Sequence, residues 1–508
     1  LIHQSSGKGP MLQVAALALL SHSSFEACVS SGLGEAALLV LPGHDDFTLA
    51  SQCVNRRSDI QSTPDAVVRV ESVADVQAAV RCAAAFGLEV STRAGGWSPE
   101  NESCRGKVIV DLHNLMGFSY DNTTQLVTWG SGHTSGQLYL KLADEDMMLP
   151  LPYDPEIRVA STIENTEMLW MARGGGGEFP GIVTKFTALA APLPSVMHEL
   201  ICEHHDASDI GKESIAAWVR GQDEISKSLP KTGSRLMIVF NIDYVKLKHW
   251  CFDCNASELA FFESHTTMAA ERGGGSCFAT TDWGSGRAHP KQVINFLAGA
   301  PSMTRWTDMI EKPYTTWPRQ YAGAYDHPRA SGSYYAPTAA VVDGAIWDAV
   351  WPIFNRPPFS TAGSYVQQML MYPLASDFVA ADTVGHAHNG DTAKWLIFFA
   401  FSWPQDEYDD DAFRKQERTV SSTFGSYLPC KLFYNFYSGS PPCATSKEER
   451  LAAHFSDPQR MQQIKQAHDP TSGRLHCLHN AFIAVAASLP HAATAIAAQA
   501  TPTNITTP

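Results

Sequence analysis

Between residues 64 and 112 the hydrophobic positions change period, and the pattern predicts strand, helix, strand, loop and strand in turn. Pro64–Val70 is a short apolar run typical of a buried strand, and Ser72-Val-Ala-Asp75 is a capping-box pattern that opens a helix. After Gly87, Leu88–Thr92 and Lys107–Leu112 predict two more strands. Four apolar residues of the helix are predicted to share one face: Val73, Val76, Val80 and Ala83.

The loop that follows the second strand has the composition of an anion-binding turn. Its two adjacent glycines can take positive φ and let backbone N–H groups converge on an anion, and Arg93 places a fixed charge beside them. Such a loop suits a pyrophosphate, although a Gly-Gly pair more often only turns the chain. The candidate binding residues are Arg93, Ala94, Gly95, Gly96, Trp97 and Ser98.

Length and charge restrict the class of protein. A chain of 508 residues with 44% hydrophobic and 18% charged residues can bury a large core, and we expect two domains. The net charge of −15 argues against a nucleic-acid partner. It leaves a small-molecule substrate open.

Several features indicate a secreted or endomembrane protein. Residues 1–27 contain Lys8 and an apolar run from Met11 to Leu20, which is either a signal segment or an N-terminal helix. No other run is long enough to span a bilayer, so we expect no membrane span after processing. Eleven cysteines fit disulfides with at least one thiol left over. Four N-x-Ser/Thr sequons are candidate glycosylation sites: Asn101, Asn122, Asn255 and Asn504.

Three passages together resemble the FAD-linked oxidases with a flavin domain of the vanillyl-alcohol-oxidase (PCMH) type, and within them the berberine bridge enzyme-like branch. The first is the order of elements over residues 64–112. The second, Leu126–Tyr139, is similar to the family's G-x-G-x-x-x-G-x-L-Y passage. The third, Trp170–Phe186, contains the R-G-G-G-G run and Ile182-Val-Thr184; four glycines alone are more often a linker. The resemblance implies FAD contacts at Gly132, Gly176, Gly181, Ile182 and Val183, and a Cys28–Cys82 disulfide.

The resemblance also implies the fold class and the domain boundaries. We expect an α+β protein with a two-subdomain, PCMH-type FAD-binding domain and an α+β substrate domain containing an antiparallel sheet. The FAD-binding domain is predicted at 28–195, the substrate domain at 196–429, and a closing segment that returns to the FAD-binding domain at 430–480. Residues 481–508 are a low-complexity tail.

Two departures from the family pattern affect the cofactor. Trp97 stands where the family often carries the histidine that bonds covalently to the flavin, and an indole carbon cannot form that bond. Near residues 152–158 the chain lacks a Gly-rich stretch of the family, which also holds the cysteine of the second covalent bond. We therefore predict FAD held without a covalent bond. We also predict that the gap weakens FAD binding.

The catalytic residues are predicted from the same resemblance. A flavin oxidase needs a base that removes a proton from the substrate. The family's carboxylate position, counted back from Asp382-Thr383, falls on Asp377; a solvated surface aspartate is the alternative. Tyr434 and Asn435 match the family's closing motif, although Phe433 and Phe436 stand where tyrosines are usual.

No metal site is predicted. Cys251-Phe-Asp-Cys254 with His249 has no second cysteine pair after it, so a disulfide or two unrelated thiols is the better interpretation. Cys202-Glu-His-His-Asp206 is interpreted as the polar end of a surface helix.

The sequence thus supports two hypotheses. The first is an FAD-dependent oxidoreductase that acts on an alcohol, carbohydrate or alkaloid-like small molecule, with oxygen as the acceptor. The second is a non-catalytic or incompletely spliced relative that keeps the α+β shell but has lost part of the flavin site.

Overall fold

The fold is described from a computed structural model. It covers residues 23–468 except for 54, 56–61, 97–100, 134, 150–164, 195–196, 205–211, 229–231, 240–243, 272–275, 280–328, 343, 355–365, 375–386, 389, 391–392, 404–409 and 433–441. None of the helices in this part of the chain is long and apolar enough to cross a membrane.

The N-terminal part is a four-stranded sheet flanked by helices. Its elements are, in chain order, α1 (Phe25–Gly32), β1 (Leu38–Val40), α2 (Phe47–Ala50), β2 (Ala66–Arg69), α3 (Val73–Ala85), β3 (Val90–Arg93) and β4 (Val108–Asp111). The strand order is β1-β2-β4-β3, with β4 parallel to both β2 and β3. The predicted strand–helix–strand–loop–strand order is therefore confirmed. Parallel pairing brings the carboxyl ends of β3 and β4 to one edge of the sheet.

The capping box at the start of α3 forms as predicted. The Ser72 hydroxyl accepts a hydrogen bond from the Asp75 amide, and the Asp75 carboxylate accepts one from the Ser72 amide at 2.8 Å. The prediction that Val73 belongs to the apolar face of α3 was wrong, because Val73 is half exposed. It lies in the first turn of the helix, and Ala79 and Cys82 are buried further along.

A second, smaller sheet follows. Its region consists of β5 (Phe118–Asp121), β6 (Leu126–Gly130), α4 (Ser135–Ala143), β7 (Met147–Met148), α5 (Thr166–Ala172), β8 (Lys185–Leu189) and β9 (Ala191–Pro192). Strands β5, β6 and β8 pair antiparallel in that order, and β7 pairs with β9. Trp129 and Phe186 stack at 5.2 Å between ring centroids on the face that α4 covers, so aromatic packing fixes this sheet against its helix.

The C-terminal half contains the predicted antiparallel sheet. Its elements are β10 (Met197–His204), α6 (Lys212–Ser228), β11 (Thr232–Val239), β12 (Tyr244–Phe252), α7 (Ala256–Glu271), β13 (Ser276–Ala279), β14 (Arg329–Ala336), α8 (Thr338–Val342), α9 (Gly344–Phe354), β15 (Val366–Pro373), β16 (Trp395–Ser402) and α10 (Asp410–Tyr427). The seven described strands lie in the order β13-β10-β12-β11-β15-β16-β14. The stretch around Cys202 is strand β10, so the interpretation as a helix end was wrong. Pairing with both β12 and β13 holds it extended.

The closing segment contains α11 (Lys447–His454) and α12 (Pro458–His468). Ala453 of α11 packs in the apolar core of the seven-stranded sheet, whereas Met461 and Ile464 of α12 pack against α5. The segment therefore touches both halves of the chain.

The disulfides and one candidate glycosylation site can be compared with the predictions from the sequence. The Cys28–Cys82 disulfide is confirmed, and Cys251–Cys254 is a disulfide rather than the start of a metal site. Cys53–Cys104 and Cys430–Cys443 are also bonded. One sequon is corrected: Asn101 is fully buried, and its side-chain amide donates to the Asn55 carbonyl at 2.6 Å, so this fold leaves no room for a glycan there.

Candidate functional site

The candidate site is built where four backbone segments meet. They are Arg93–Gly96 after β3, Asp111–His113 after β4, Gly130–His133 after β6, and Gly181–Thr184 before β8. We call these four segments the cradle. Its segments are tied by backbone hydrogen bonds, including Leu112 N–H to the Arg93 carbonyl at 2.7 Å and Ser131 N–H to the Thr184 carbonyl at 3.2 Å.

A buried ion pair lies at the base of the cradle. Arg93 and Asp111 are register partners at the ends of β3 and β4, and their side chains meet at 2.5 Å with only 3% of each exposed. His113 Nδ1 lies 2.9 Å from the other carboxylate oxygen. Burial alone would raise the pKa of Asp111, but the Arg93 charge and the His113 hydrogen bond outweigh it and lower the pKa to about 2.

This pairing changes the role expected of Arg93. The sequence predicts a charge presented to a pyrophosphate, whereas in the structure the Asp111 carboxylate neutralises the guanidinium below the loop. Arg93 also donates to the Gln52 carbonyl at 3.4 Å. In the described structure Arg93 fixes the loop that follows β3. Its contact with a pyrophosphate stays a prediction, as does binding of the anion by the loop backbone.

The two glycines of that loop differ from each other. Gly96 is buried and has a φ of +74°, the left-handed region that the sequence analysis expected. Gly95 is exposed, and a Cβ built on it would meet no atom within 4 Å. The backbone of Gly95 therefore faces open space and Gly96 makes the turn. Ala94 beside them is half-buried, and Trp97 and Ser98 lie outside the described residues.

The glycines at the end of β6 allow close contacts between backbone segments of the chain. A Cβ on Gly130 would collide with the Leu115 carbonyl, and one on Gly132 with the Leu112 carbonyl. The contact between Gly132 and FAD that the resemblance implies stays a prediction. In the structure Gly132 lies close to Leu112 of the cradle, and its N–H donates to the Leu115 carbonyl at 3.0 Å.

Two polar side chains of this loop are buried with atoms that have no hydrogen-bond partner among the described residues: Ser131 Oγ and His133 Nε2. His133 Nδ1 lies 3.2 Å from the Gly130 carbonyl, which can only accept, so Nδ1 carries the proton. Burial lowers the pKa of His133, which keeps the ring neutral. Nε2 is then an acceptor that would suit a ligand hydroxyl or N–H, and Ser131 offers a hydroxyl beside it. Sequence reasoning passed over both residues, although polar residues between glycines at a strand end are a detectable signal.

The glycine run after α5, residues 174–177, forms a wall that adjoins the cradle. Gly174 and Gly176 both have positive φ, +104° and +53°. A Cβ on Gly174 would lie 2.6 Å from the Cβ of His388, because the Arg173 carbonyl accepts a hydrogen bond from Ala387. The linker interpretation is excluded, since these glycines permit a turn packed against the second half of the chain.

Two ion pairs hold this wall to helix α12. Glu178 and Lys465 are fully buried and 2.7 Å apart. Arg460 binds both oxygens of Glu167 at 2.8 Å and lies 4.3 Å from the centroid of the Trp170 ring. The closing segment therefore fixes the glycine run in place, a contact that the sequence alone did not reveal.

The segment Gly181–Thr184 connects the wall to the cradle. Ile182 packs on the core of the first sheet, and Val183 packs on the cores beneath both α4 and α5. The predicted residues Gly96, Gly132, Gly181, Ile182 and Val183 thus lie in one arrangement. The predicted catalytic residues Asp377, Tyr434 and Asn435, and the gap near 152–158, lie outside the described residues.

Comparison with known proteins agrees with this arrangement. Residues 64–166 match the model of an FAD binding domain. Berberine bridge enzyme-like 18 of Arabidopsis thaliana is 32% identical over 143 residues, which is 26% of this chain and 27% of the relative, so the chain spans about a quarter of that relative's length.

Solved structures extend the similarity to most of the fold. Physcomitrella patens BBE-like 1 superposes with a TM-score of 0.68 at 17% identity, covering 88% of this chain and 97% of that one. A chitooligosaccharide oxidase superposes with a TM-score of 0.69 at 15% identity, covering 89% and 98%. Because both identities are below 25%, these superpositions establish the fold alone.

Proposed function

We propose that this chain, which is similar to the FAD-linked oxidases and to berberine bridge enzyme-like proteins, oxidises an alcohol, a carbohydrate or an alkaloid-like small molecule. Oxygen is the proposed electron acceptor. FAD, when bound, supplies the chemistry by accepting a hydride from the substrate. The observation that carries the proposal is the cradle with its buried, unpartnered polar atoms.

The residues of the cradle fit the cofactor. FAD carries a pyrophosphate, ribityl hydroxyls and ring N–H groups, which need backbone donors, acceptors and apolar walls. The backbone at Gly95 and the turn at Gly96 would bind the pyrophosphate, and Ser131 Oγ and His133 Nε2 would pair with hydroxyl or N–H groups. Ile182 and Val183 would line the apolar side. A buried polar atom without a partner is costly, so a ligand that pairs with these atoms is stabilised.

The cofactor is proposed to be held without a covalent bond. The supporting observation is Trp97 in the loop position after Gly96, since an indole carbon cannot form the histidyl linkage. After acid precipitation of the loaded protein, all yellow colour should be found in the supernatant. Flavin that stays with the pellet would overturn this part of the proposal.

The experiment that tests the site is an FAD titration followed by visible absorption and protein fluorescence. We expect His133→Phe to weaken FAD binding by about tenfold, the order of one lost hydrogen bond, because it keeps the ring volume and removes the acceptor. Tyr334→Phe is the matched control, since the Tyr334 hydroxyl donates to the Ser421 carbonyl inside the seven-stranded sheet's core. Equal FAD affinity in the parent and His133→Phe would remove His133 from the site.

Asp377 is proposed as the general base, with Tyr434 and Asn435 beside the reacting atoms. Asp377→Asn keeps the shape but cannot accept a proton, so turnover should fall by roughly 10²–10⁴ while FAD affinity stays the same. Steady-state and titration measurements on the same preparation separate the two effects. Unchanged turnover would return Asp377 to the class of solvated surface residues.

A further inference from the structure

The Cys251–Cys254 disulfide closes a shorter loop than Cys28–Cys82, Cys53–Cys104 and Cys430–Cys443, the last of which joins two half-buried cysteines 13 positions apart. Cys28–Cys82 and Cys53–Cys104 join residues 54 and 51 positions apart, and all four of those sulfur-bearing side chains are buried. Cys251 and Cys254 are separated by only 3 positions. Cys251 is fully buried, whereas Cys254 is partly exposed.

The short separation matters for stability. A disulfide restricts the unfolded chain less when the loop it closes is short. The Cys251–Cys254 bond therefore contributes less to folding than the two long-range bonds, and its reduction can occur without global unfolding. Partly exposed disulfides are also the ones that external thiols reach.

The two cysteines lie at a junction between a strand and a helix. Cys251 is near the end of β12, Asp253 turns the chain with a φ of +48°, and Asn255 precedes α7. The Asn255 side chain accepts hydrogen bonds from the amides of Ser257 and Glu258, each at 3.0 Å. Because the exposed turn residues 253 and 255 flank Cys254, its sulfur is the one open to attack.

A buried histidine lies on the same face of β12 as Cys251. His249 is two residues earlier in the strand, and both residues pack about Phe262. His249 Nδ1 lies 2.8 Å from the side-chain nitrogen of Gln222, an atom that can only donate. The neutral imidazole therefore carries its proton on Nε2, which has no acceptor among the described residues. Burial lowers the pKa of His249 to about 3, so the ring stays neutral.

We propose that Cys251–Cys254 is a thiol–disulfide exchange site, at which a low-molecular-weight thiol attacks Cys254 and Cys251 is the leaving group. The thiolate RS⁻ forms a bond to Cys254 Sγ, and the Cys251–Cys254 bond breaks. Cys251 Sγ leaves with the electron pair; released from Cys254, it turns toward His249, accepts a hydrogen bond from Nε2–H, and takes a proton from solvent. A second thiolate then displaces Cys254 and releases RS–SR. The net reaction reduces one disulfide to two thiols and oxidises two thiols RSH to RS–SR.

The test uses the full chain, folded, in buffers of increasing reduced-to-oxidised glutathione ratio. Samples are quenched with acid, alkylated and analysed by peptide mass spectrometry. We expect Cys251 and Cys254 to become alkylated at least about tenfold faster than Cys28, Cys82, Cys53 and Cys104. Trapped glutathione should be on Cys254, and circular dichroism should not change. Earlier opening of any other disulfide, Cys430–Cys443 included, simultaneous opening of all of them, or glutathione on Cys251 would each overturn the proposal.

The role of His249 is tested separately. His249→Phe keeps an aromatic ring beside Phe262 but removes the donor, and we expect the opening rate to fall about tenfold, the effect of about one hydrogen bond to a charged group. His265→Phe is the control, because His265 lies on α7 and is bound to the Phe261 carbonyl instead. An unchanged rate in His249→Phe would exclude the histidine. The wild-type alkylation pattern decides the exchange site itself, even if that variant folds poorly.

Discussion

The cradle and the seven-stranded sheet are stabilised by different kinds of interaction. In the cradle, backbone segments touch through glycines, and the buried side chains include Arg93, Asp111, Ser131 and His133. In the seven-stranded sheet, the described core is organised around stacked aromatic rings, such as Trp403 with Phe413 at 4.5 Å between ring centroids. The seven-stranded sheet is stabilised by burial of apolar area, which tolerates small changes in side-chain shape and position. The cradle instead depends on a few close contacts whose geometry leaves no space for displacement.

The largest expected effect is at a glycine of the cradle. Gly130→Ala places a methyl group on the Leu115 carbonyl, so the backbone must shift, and we expect a loss of more than about 4 kcal/mol in the free energy of unfolding. Urea unfolding followed by tryptophan fluorescence measures it. Gly95→Ala is the matched control, since its Cβ meets nothing within 4 Å and stability should be unchanged. Equal stability in the two variants would show that the segments are not in the close contact described.

The next effect concerns the buried pair between the glycine run and α12. Lys465→Met leaves the Glu178 carboxylate buried without its counter-charge, and we expect a destabilisation of about 3–5 kcal/mol. The double variant Glu178→Gln/Lys465→Met removes both charges and should recover part of that loss. Thermal unfolding of the three proteins measures the coupling.

The same pair should influence the cofactor site. Because Glu178 lies in the wall next to the cradle, FAD affinity should fall in Lys465→Met and rise again in the double variant. Arg414→Met in α10 is the control, since its partner Asp411 is exposed and a surface pair contributes little. A double variant no more stable than Lys465→Met would contradict the interpretation.

The smallest expected effect is the pH dependence at Asp111. Its pKa is lowered in the fold to about 2 from an ordinary value of 3.8, so its contribution to stability is fully present above pH 3.8 and is lost as the pH falls toward 2. The size is roughly 2 kcal/mol by linkage. Urea unfolding from pH 5 to pH 2 should show a loss of stability that is smaller by about this amount in Asp111→Asn than in the parent, because other carboxylates with a lowered pKa, such as Glu449, are protonated in both proteins.

The sequence by itself determined much of the local structure. The capping box Ser72–Asp75 sets the start of α3, the apolar runs set β2, β3 and β4, and Gly96 allows the positive φ that the loop needs. These features depend on residues that are close in the chain, so periodicity and turn chemistry are sufficient to predict them. The family resemblance extended the prediction to the antiparallel sheet and to the Cys28–Cys82 bond.

Only the tertiary structure decided how the charges are used. The sequence around Arg93 indicates a free cation beside a glycine loop. The register of the β-sheet instead places Arg93 against Asp111, which is 18 residues away. Glu178 and Lys465 are 287 residues apart, and no local pattern relates them. The burial of Asn101 and the unpartnered atom of His133 likewise follow from which segments pack together. Electrostatic and hydrogen-bond partners across such distances depend on the packing of the whole chain, and that is the part local periodicity does not encode.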